Sequence, residues 1–291
     1  MTAPFFIVAS ARSGTTFLRL TLNAHGSIAV PPESRFITEF YTNGQVDVPQ
    51  FLQALKNHKR FKLWDLSIDL VRSEIGTKNH IPYAEAISAA HRAYARSRGK
   101  SIWGDKTPRY IEHISFLANL FPDSRFIHLV RDGRNVALSY AHVDFGPKNV
   151  ARVAELWTRR VATGIKEGRP LGDDRYLEIR AEDLALDVHA QLEKVCRFLG
   201  VDVDPSMFDP AELAKGEIEK KRHNYSPEAA GRAAMSDWTT DMKPEDVEVF
   251  EALAGPVLTQ LGYERRYQAP SRTARVKAAL ALRGAPIGRL K

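Results

Sequence analysis

Residues 4–19 read PFFIVASARSGTTFLR, and the rest of the chain is interpreted outward from them. Phe5, Phe6, Ile7 and Val8 form a short unbroken apolar run, the pattern of a parallel strand covered on both faces. Residues 9–14 supply a tight turn that ends on Gly14, and Thr15 and Thr16 open a helix whose Phe17, Leu18 and Leu22 can face the sheet. A strand, a turn and a helix in that order aim unpaired backbone N–H groups and the positive helix end at one point. That point is suited to an anion.

The loop chemistry narrows the choice of anion. A nucleoside-triphosphate loop reads GxxxxGK[ST]. Residues 9–16 read ASARSGTT: Gly14 and a terminal hydroxyl are kept, Ala9 replaces the first glycine, and Thr15 replaces the lysine. The cation stands at Arg12 instead. Without the lysine, the loop is poorly equipped for a β/γ-phosphate and its magnesium, but it can cradle a smaller anionic group. RSGTT after an apolar strand resembles the 5′-phosphosulfate loop of sulfotransferases that use 3′-phosphoadenosine 5′-phosphosulfate (PAPS). The branch it most resembles includes the tyrosylprotein sulfotransferases and many bacterial sulfotransferases, and the resemblance extends to about Tyr263. It implies that Arg12, Ser13, Gly14, Thr15 and Thr16 hold the phosphosulfate.

Further motifs carry the same resemblance. In residues 30–35, VPPESR, two prolines fix an extended segment that presents Glu33 rigidly. By residue type alone Glu33 is a loop carboxylate; the resemblance makes it the general base for the acceptor hydroxyl. Residues 101–104 read as a strand followed by Asp105-Lys106-Thr107-Pro108, which places Lys106 in a loop at the carboxyl end of a strand, where open α/β sheets bind ligands. The resemblance brings Lys106 to the sulfate and its bridging oxygen. Residues 125–130, RFIHLV, form another buried strand that runs into Arg131-Asp132-Gly133-Arg134. Here the resemblance implies that Arg131 and Ser139 grip the 3′-phosphate, a task suited to arginine's planar fork. His128 reads as a core residue. Residues 176–180 give one more strand; the tyrosine that usually follows it in the family, near the adenine, is Ala181 here. Within the polar segment 215–238, Ser236-Asp237-Trp238 resembles a nucleotide-clamping element, and Arg232 and Ser236 join the cofactor-binding set on that ground.

The expected fold is α/β: a P-loop-like three-layer domain with a central, mainly parallel sheet flanked by helices. Residues 1–264 form that single domain, and residues 38–98 a mostly helical, acceptor-binding insertion. Phe61 and Trp64, among charges in the insertion, read more readily as core than as pocket lining. The chain has 291 residues and 44% hydrophobic composition, enough for one large core. Its one cysteine, Cys196, shares an apolar helical face with Leu192, Val195 and Leu199, so it reads as packing, and no disulfide framework exists.

Charge is unevenly distributed. Of 42 Lys and Arg, eight lie beyond Glu264, where no Asp or Glu occurs, so residues 1–264 carry 34 bases against 35 acids. The net +7 therefore belongs to the segment 265–291, and no nucleic-acid surface is implied. This basic tail reads as solvated and partly disordered, with a weak tether to an anionic lipid membrane surface or to an acidic partner carrier as the alternative. No basic leader with a cleavage site and no membrane-length apolar run is seen, which suggests a soluble, cytoplasmic protein. The expected reaction moves a sulfuryl group from PAPS to a hydroxyl of a small molecule, glycan or lipid, without a metal. The alternatives are a P-loop nucleotide kinase or NTPase, with Asp105 as its magnesium acid, and a non-catalytic nucleotide-binding module. Neither the acceptor nor the oligomeric state is legible.

Overall fold

A computed structural model of the chain describes residues 3–209, 211, 213 and 237–283. Its centre is β1 (Phe5–Val8), followed by β2 (Ile28–Ala29), the ribbon strands β3 (Gln45–Asp47) and β4 (His80–Pro82), β5 (Ile102–Lys106), β6 (Arg125–Val130) and β7 (Tyr176–Arg180). Five strands form one parallel sheet in the order β2-β5-β1-β6-β7. The chain therefore leaves β1 to one side for β5 and crosses to the other side for β6. Ile7 lies level with Lys106 and with Ile127, and Val130 with Arg180, so the carboxyl ends of β1, β5, β6 and β7 form one rim. Open parallel sheets bind ligands outside that rim, where the strand order reverses.

Alternation along β1 divides the core. Phe6 and Val8 face one cluster with Trp103, Phe121, Phe126 and the insertion; Phe5 and Ile7 face another with Leu18, Leu22, Leu192 and Cys196. The two faces are covered by different helices, giving three layers. Gly104 on β5 is a packing requirement: a Cβ there would stand 2.3 Å from the Phe5 ring. A third cluster, around Trp157 and Phe250, joins the helices Gly133–Ala141, Val150–Gly168 and Pro244–Gln260.

The insertion contains the helices Val48–Asn57, Ile68–Ile75 and Tyr83–Arg96, with the antiparallel β3–β4 ribbon as an element that the spacing did not announce. Phe61 and Trp64 are buried in it as core. His128 is buried against the Tyr176 hydroxyl at 2.6 Å, and burial, with Arg169 nearby, pushes its pKa down to about 3. Cys196 is buried, and burial pushes its thiol up to about 11.

Two expectations are corrected. Lys106 is the last residue of β5, not a loop residue, because pairing with Ile7 extends the strand through it. Residues 272–283 of the basic tail are a helix, Arg272–Arg283, with Ala274 and Ala278 buried against Ala151 and Val249. The physical reason is that a narrow alanine stripe suffices for close helix approach, even where the wheel shows no broad apolar face. Among the described residues, no helix is long and apolar enough to cross a membrane.

Candidate active site

The loop after β1 is shaped by two left-handed residues, Arg12 (φ 72°) and Gly14 (φ 87°). Gly14 accommodates this without a Cβ penalty; Arg12 does so at a cost that non-glycine residues usually bear at functional loops. The Ser13 hydroxyl donates to the Ser10 carbonyl at 2.7 Å, closing the turn. Gly14 caps the helix Thr15–Ala24 with no side-chain cap, so the first-turn amides of Thr15 and Thr16 keep their outward capacity. Ala9 N–H donates to the Pro108 carbonyl at 3.2 Å, tying this loop to the segment after β5.

The loop after β6 interlocks with it. Arg131 Nη1 donates to the Arg12 carbonyl at 3.1 Å, and Arg12 Nε donates to the Ser139 hydroxyl at 3.0 Å. Arg12 thus meets Arg131 and Ser139, both more than a hundred residues downstream, at one place on the rim. Burial lowers the pKa of both guanidinium groups, with Tyr140 opposing at Arg12 and Glu182 opposing first at Arg131; both stay cationic because the reference value is far above neutrality. Among the described residues, no carboxylate pairs with Arg12.

Behind Arg131, the Glu182 carboxylate accepts from Asp132 N–H at 2.9 Å and from the Tyr263 hydroxyl at 3.0 Å. Arg134 is fully buried, bonded to Asp132 at 2.7 Å and to Glu251 at 2.6 Å, with its guanidinium 3.5 Å from the Trp238 ring centre.

Glu33 comes to the rim on the proline arm. Arg19 Nη1 donates to the Val30 carbonyl, the Asn23 side chain accepts from Val30 N–H, and the Trp64 indole N–H donates to the Pro32 carbonyl at 2.8 Å. Just beyond, the Ser34 and Tyr110 hydroxyls are bonded at 2.9 Å. The Glu33 carboxylate lies 3.0 Å from the Lys106 ammonium and 3.5 Å from Arg35. Burial alone pushes Glu33 up, but Lys106, Arg60 and Arg35 together outweigh it and hold the carboxyl at about 2.

The residues present fit a doubly anionic ligand. The buried Ser10 and Thr107 hydroxyls, just beyond the carboxyl ends of β1 and β5, have no hydrogen-bond partner among the described residues. Beside them lie uncapped helix amides and two guanidinium groups, all of them donors. Asp105, the acid that a magnesium-dependent reading requires, is instead buried on the His91 ring at 3.2 Å. Arg232 and Ser236 lie outside the described residues. Tyr110 and Glu182 were not singled out from sequence; each acts through partners remote in the chain, and no local spacing marks such a contact.

A model of the sulfotransferase family matches residues 4–205. Protein-tyrosine sulfotransferase A of Caenorhabditis elegans is 22% identical over 287 residues, covering 93% of this chain and 70% of that protein. Nodulation protein NoeE of Sinorhizobium fredii is 25% identical over 296 residues, covering 90% of this chain and 66% of NoeE, so the chain spans slightly under two thirds of that relative. Among solved structures, the sulfotransferase domain of the Synechococcus PCC 7002 olefin synthase shares the fold, with a TM-score of 0.62 over 90% of this chain and 96% of that one, at 23% identity. With well over half of its length matched to the family model, the chain belongs to the sulfotransferase family.

Proposed function

We propose that the chain transfers the sulfuryl group of PAPS to an acceptor hydroxyl, with Glu33 as general base. The observation that carries this reading is the Arg131–Arg12–Ser139 interlock, which sets cations for two separate anionic groups side by side on one sheet rim. Arg12 and the amides of residues 13–16 orient the 5′-phosphosulfate, and Arg131 and Ser139 hold the 3′-phosphate. That second grip distinguishes PAPS from a nucleoside triphosphate.

In the reaction, the acceptor oxygen forms a bond to sulfur as the bond from sulfur to the 5′-phosphate oxygen breaks. The acceptor proton passes to Glu33, and the electron pair of the broken bond stays on the phosphate. Arg12 and Lys106 stabilise the charge that develops, in the manner of phosphoryl transfer. Lys106 has a second effect. While it lies on Glu33, the carboxylate is ionised but weakly basic. As Lys106 turns toward the leaving oxygen, Glu33 loses a nearby positive charge and its basicity rises.

The acceptor is a hydroxyl of a small molecule, glycan or lipid; the relative named as a protein-tyrosine sulfotransferase adds a tyrosine peptide as a further arm of the assay. Transfer from PAPS is followed by mass spectrometry with phenolic, sugar, lipid-alcohol and tyrosine-peptide acceptors, for the wild type and Glu33→Gln. Glu33→Gln is expected to lose at least about a hundredfold in transfer, in line with general-base catalysis, while its affinity for 3′-phosphoadenosine 5′-phosphate stays close to wild type. Wild-type turnover in that variant overturns the base assignment. Tighter binding of ATP–magnesium than of the 3′-phosphorylated nucleotide overturns the donor assignment.

A further inference from the structure

We propose that the helix Arg272–Arg283 is a peripheral docking surface for an anionic lipid bilayer. The helix has two unlike sides. Inward, Ala274 and Ala278 are buried against Ala151 and Val249. Outward, Val276 is 56% exposed and Leu280 59% exposed, one helical turn apart, and Ala279 is exposed beside them. Four cations, Arg272, Arg275, Lys277 and Arg283, are also exposed on this helix.

Charge selects the occupant. A solvated surface helix ordinarily mixes signs and gains from acid–base pairs one turn apart. This helix has no acid, and none occurs anywhere after Glu264. Arg265 and Arg266, just before it, are turned onto the carbonyls of Tyr267, Gln268 and Thr239. Residues 1–264 sum to −1, so the positive field of the protein is concentrated at this end and orients it toward a negative plane.

An exposed apolar ridge among cations matches the boundary between acyl chains and anionic headgroups, where the aliphatic side chains enter and the long basic ones reach the phosphates. Twelve residues of helix make a rod about 18 Å long, which can lie flat on such a plane. With only two large apolar side chains, insertion alone is weak. The contact is therefore reversible, requires anionic lipid and is sensitive to salt. This surface is independent of the reaction proposed above, because it involves none of the residues on the sheet rim.

The test is co-sedimentation of the full chain with vesicles of phosphatidylcholine alone and of phosphatidylcholine mixed with phosphatidylglycerol. The expected result is partition onto the mixed vesicles at least about tenfold stronger than onto the neutral ones, and reversed by high salt. V276E/L280E is expected to lose about tenfold on the mixed vesicles, with an unchanged thermal midpoint because both positions face solvent. R275Q/K277Q, which leaves the alanine contact untouched, is expected to lose binding in the same direction and supplies the test if the first variant folds poorly. No partition, equal partition onto both vesicle types, or wild-type partition of either folded variant overturns the proposal.

Discussion

Glu33 and Lys106 form a largely buried ion pair at 3.0 Å, and it makes a prediction in pH. The folded pKa of Glu33 is depressed, from an ordinary value of 4.5 to about 2. A carboxylate of this kind stabilises the fold above its unfolded pKa, and the contribution disappears as pH falls from about 4.5 toward 2. The size is up to roughly 3 kcal/mol. Chemical unfolding followed across that window is expected to show a loss of stability that is absent in Glu33→Gln; parallel curves for the two proteins contradict the ion pair. On the proposed donor side, Arg131→Ala is expected to weaken 3′-phosphoadenosine 5′-phosphate by at least about tenfold, the scale of one charged hydrogen-bonded contact. The same change is expected to leave adenosine 5′-phosphosulfate nearly unaffected. Calorimetric titration with both nucleotides checks this, and equal losses refute the 3′-phosphate role.

At the scale of elements, the site is an arrangement of strand ends and a braced arm. β1, β5 and β6 set the rim by parallel register, and the arm carrying Glu33 is fastened to it from the insertion by Trp64. Trp64→Phe keeps most of the ring packing but leaves the buried Pro32 carbonyl without its donor. It is expected to destabilise the protein by about 1–3 kcal/mol and to lower the transfer rate, with nucleotide affinity changed by less than about twofold. Denaturant unfolding together with product-nucleotide titration separates the two effects; a tenfold loss of nucleotide affinity places the brace on the donor side instead. Strand existence was readable from apolar runs at β1 and β6 and was also expected at β5 and β7, and the insertion 38–98 was expected to be mostly helical. The two-residue β2 and the β3–β4 ribbon were not readable, since such short segments carry too few residues to display a period.

Across the whole molecule, Arg134 links the loop after β6 to the carboxyl-terminal helices. It bonds Asp132 and Glu251, and it also donates to the Glu264 carbonyl; Glu251 in turn accepts from the backbone N–H groups of Arg266 and Tyr267. Arg134→Leu strands two buried carboxylates and is expected to cost about 3–5 kcal/mol, measured by denaturant unfolding. A loss below 1 kcal/mol shows that solvent reaches the pair and that this junction is loose. Sequence order gave no hint that Arg134, and not only Arg131, matters in RDGR, because Glu251 and Glu264, which tie it to the carboxyl-terminal helices, lie more than a hundred residues downstream.

By itself the sequence determined the central strand, the glycine turn and the helix that opens on two threonines. These are local consequences of apolar runs, of a residue free to adopt positive φ, and of an uncapped helix start. It also determined that the positive charge is concentrated at one end of the chain. Only the tertiary structure decided that Arg12 and Arg131 meet, that Lys106 closes on Glu33, and that the basic tail docks as a helix. The first two depend on parallel register, which brings distant side chains to one rim and sets their charges against one another there; the third depends on long-range burial of an alanine stripe against other helices.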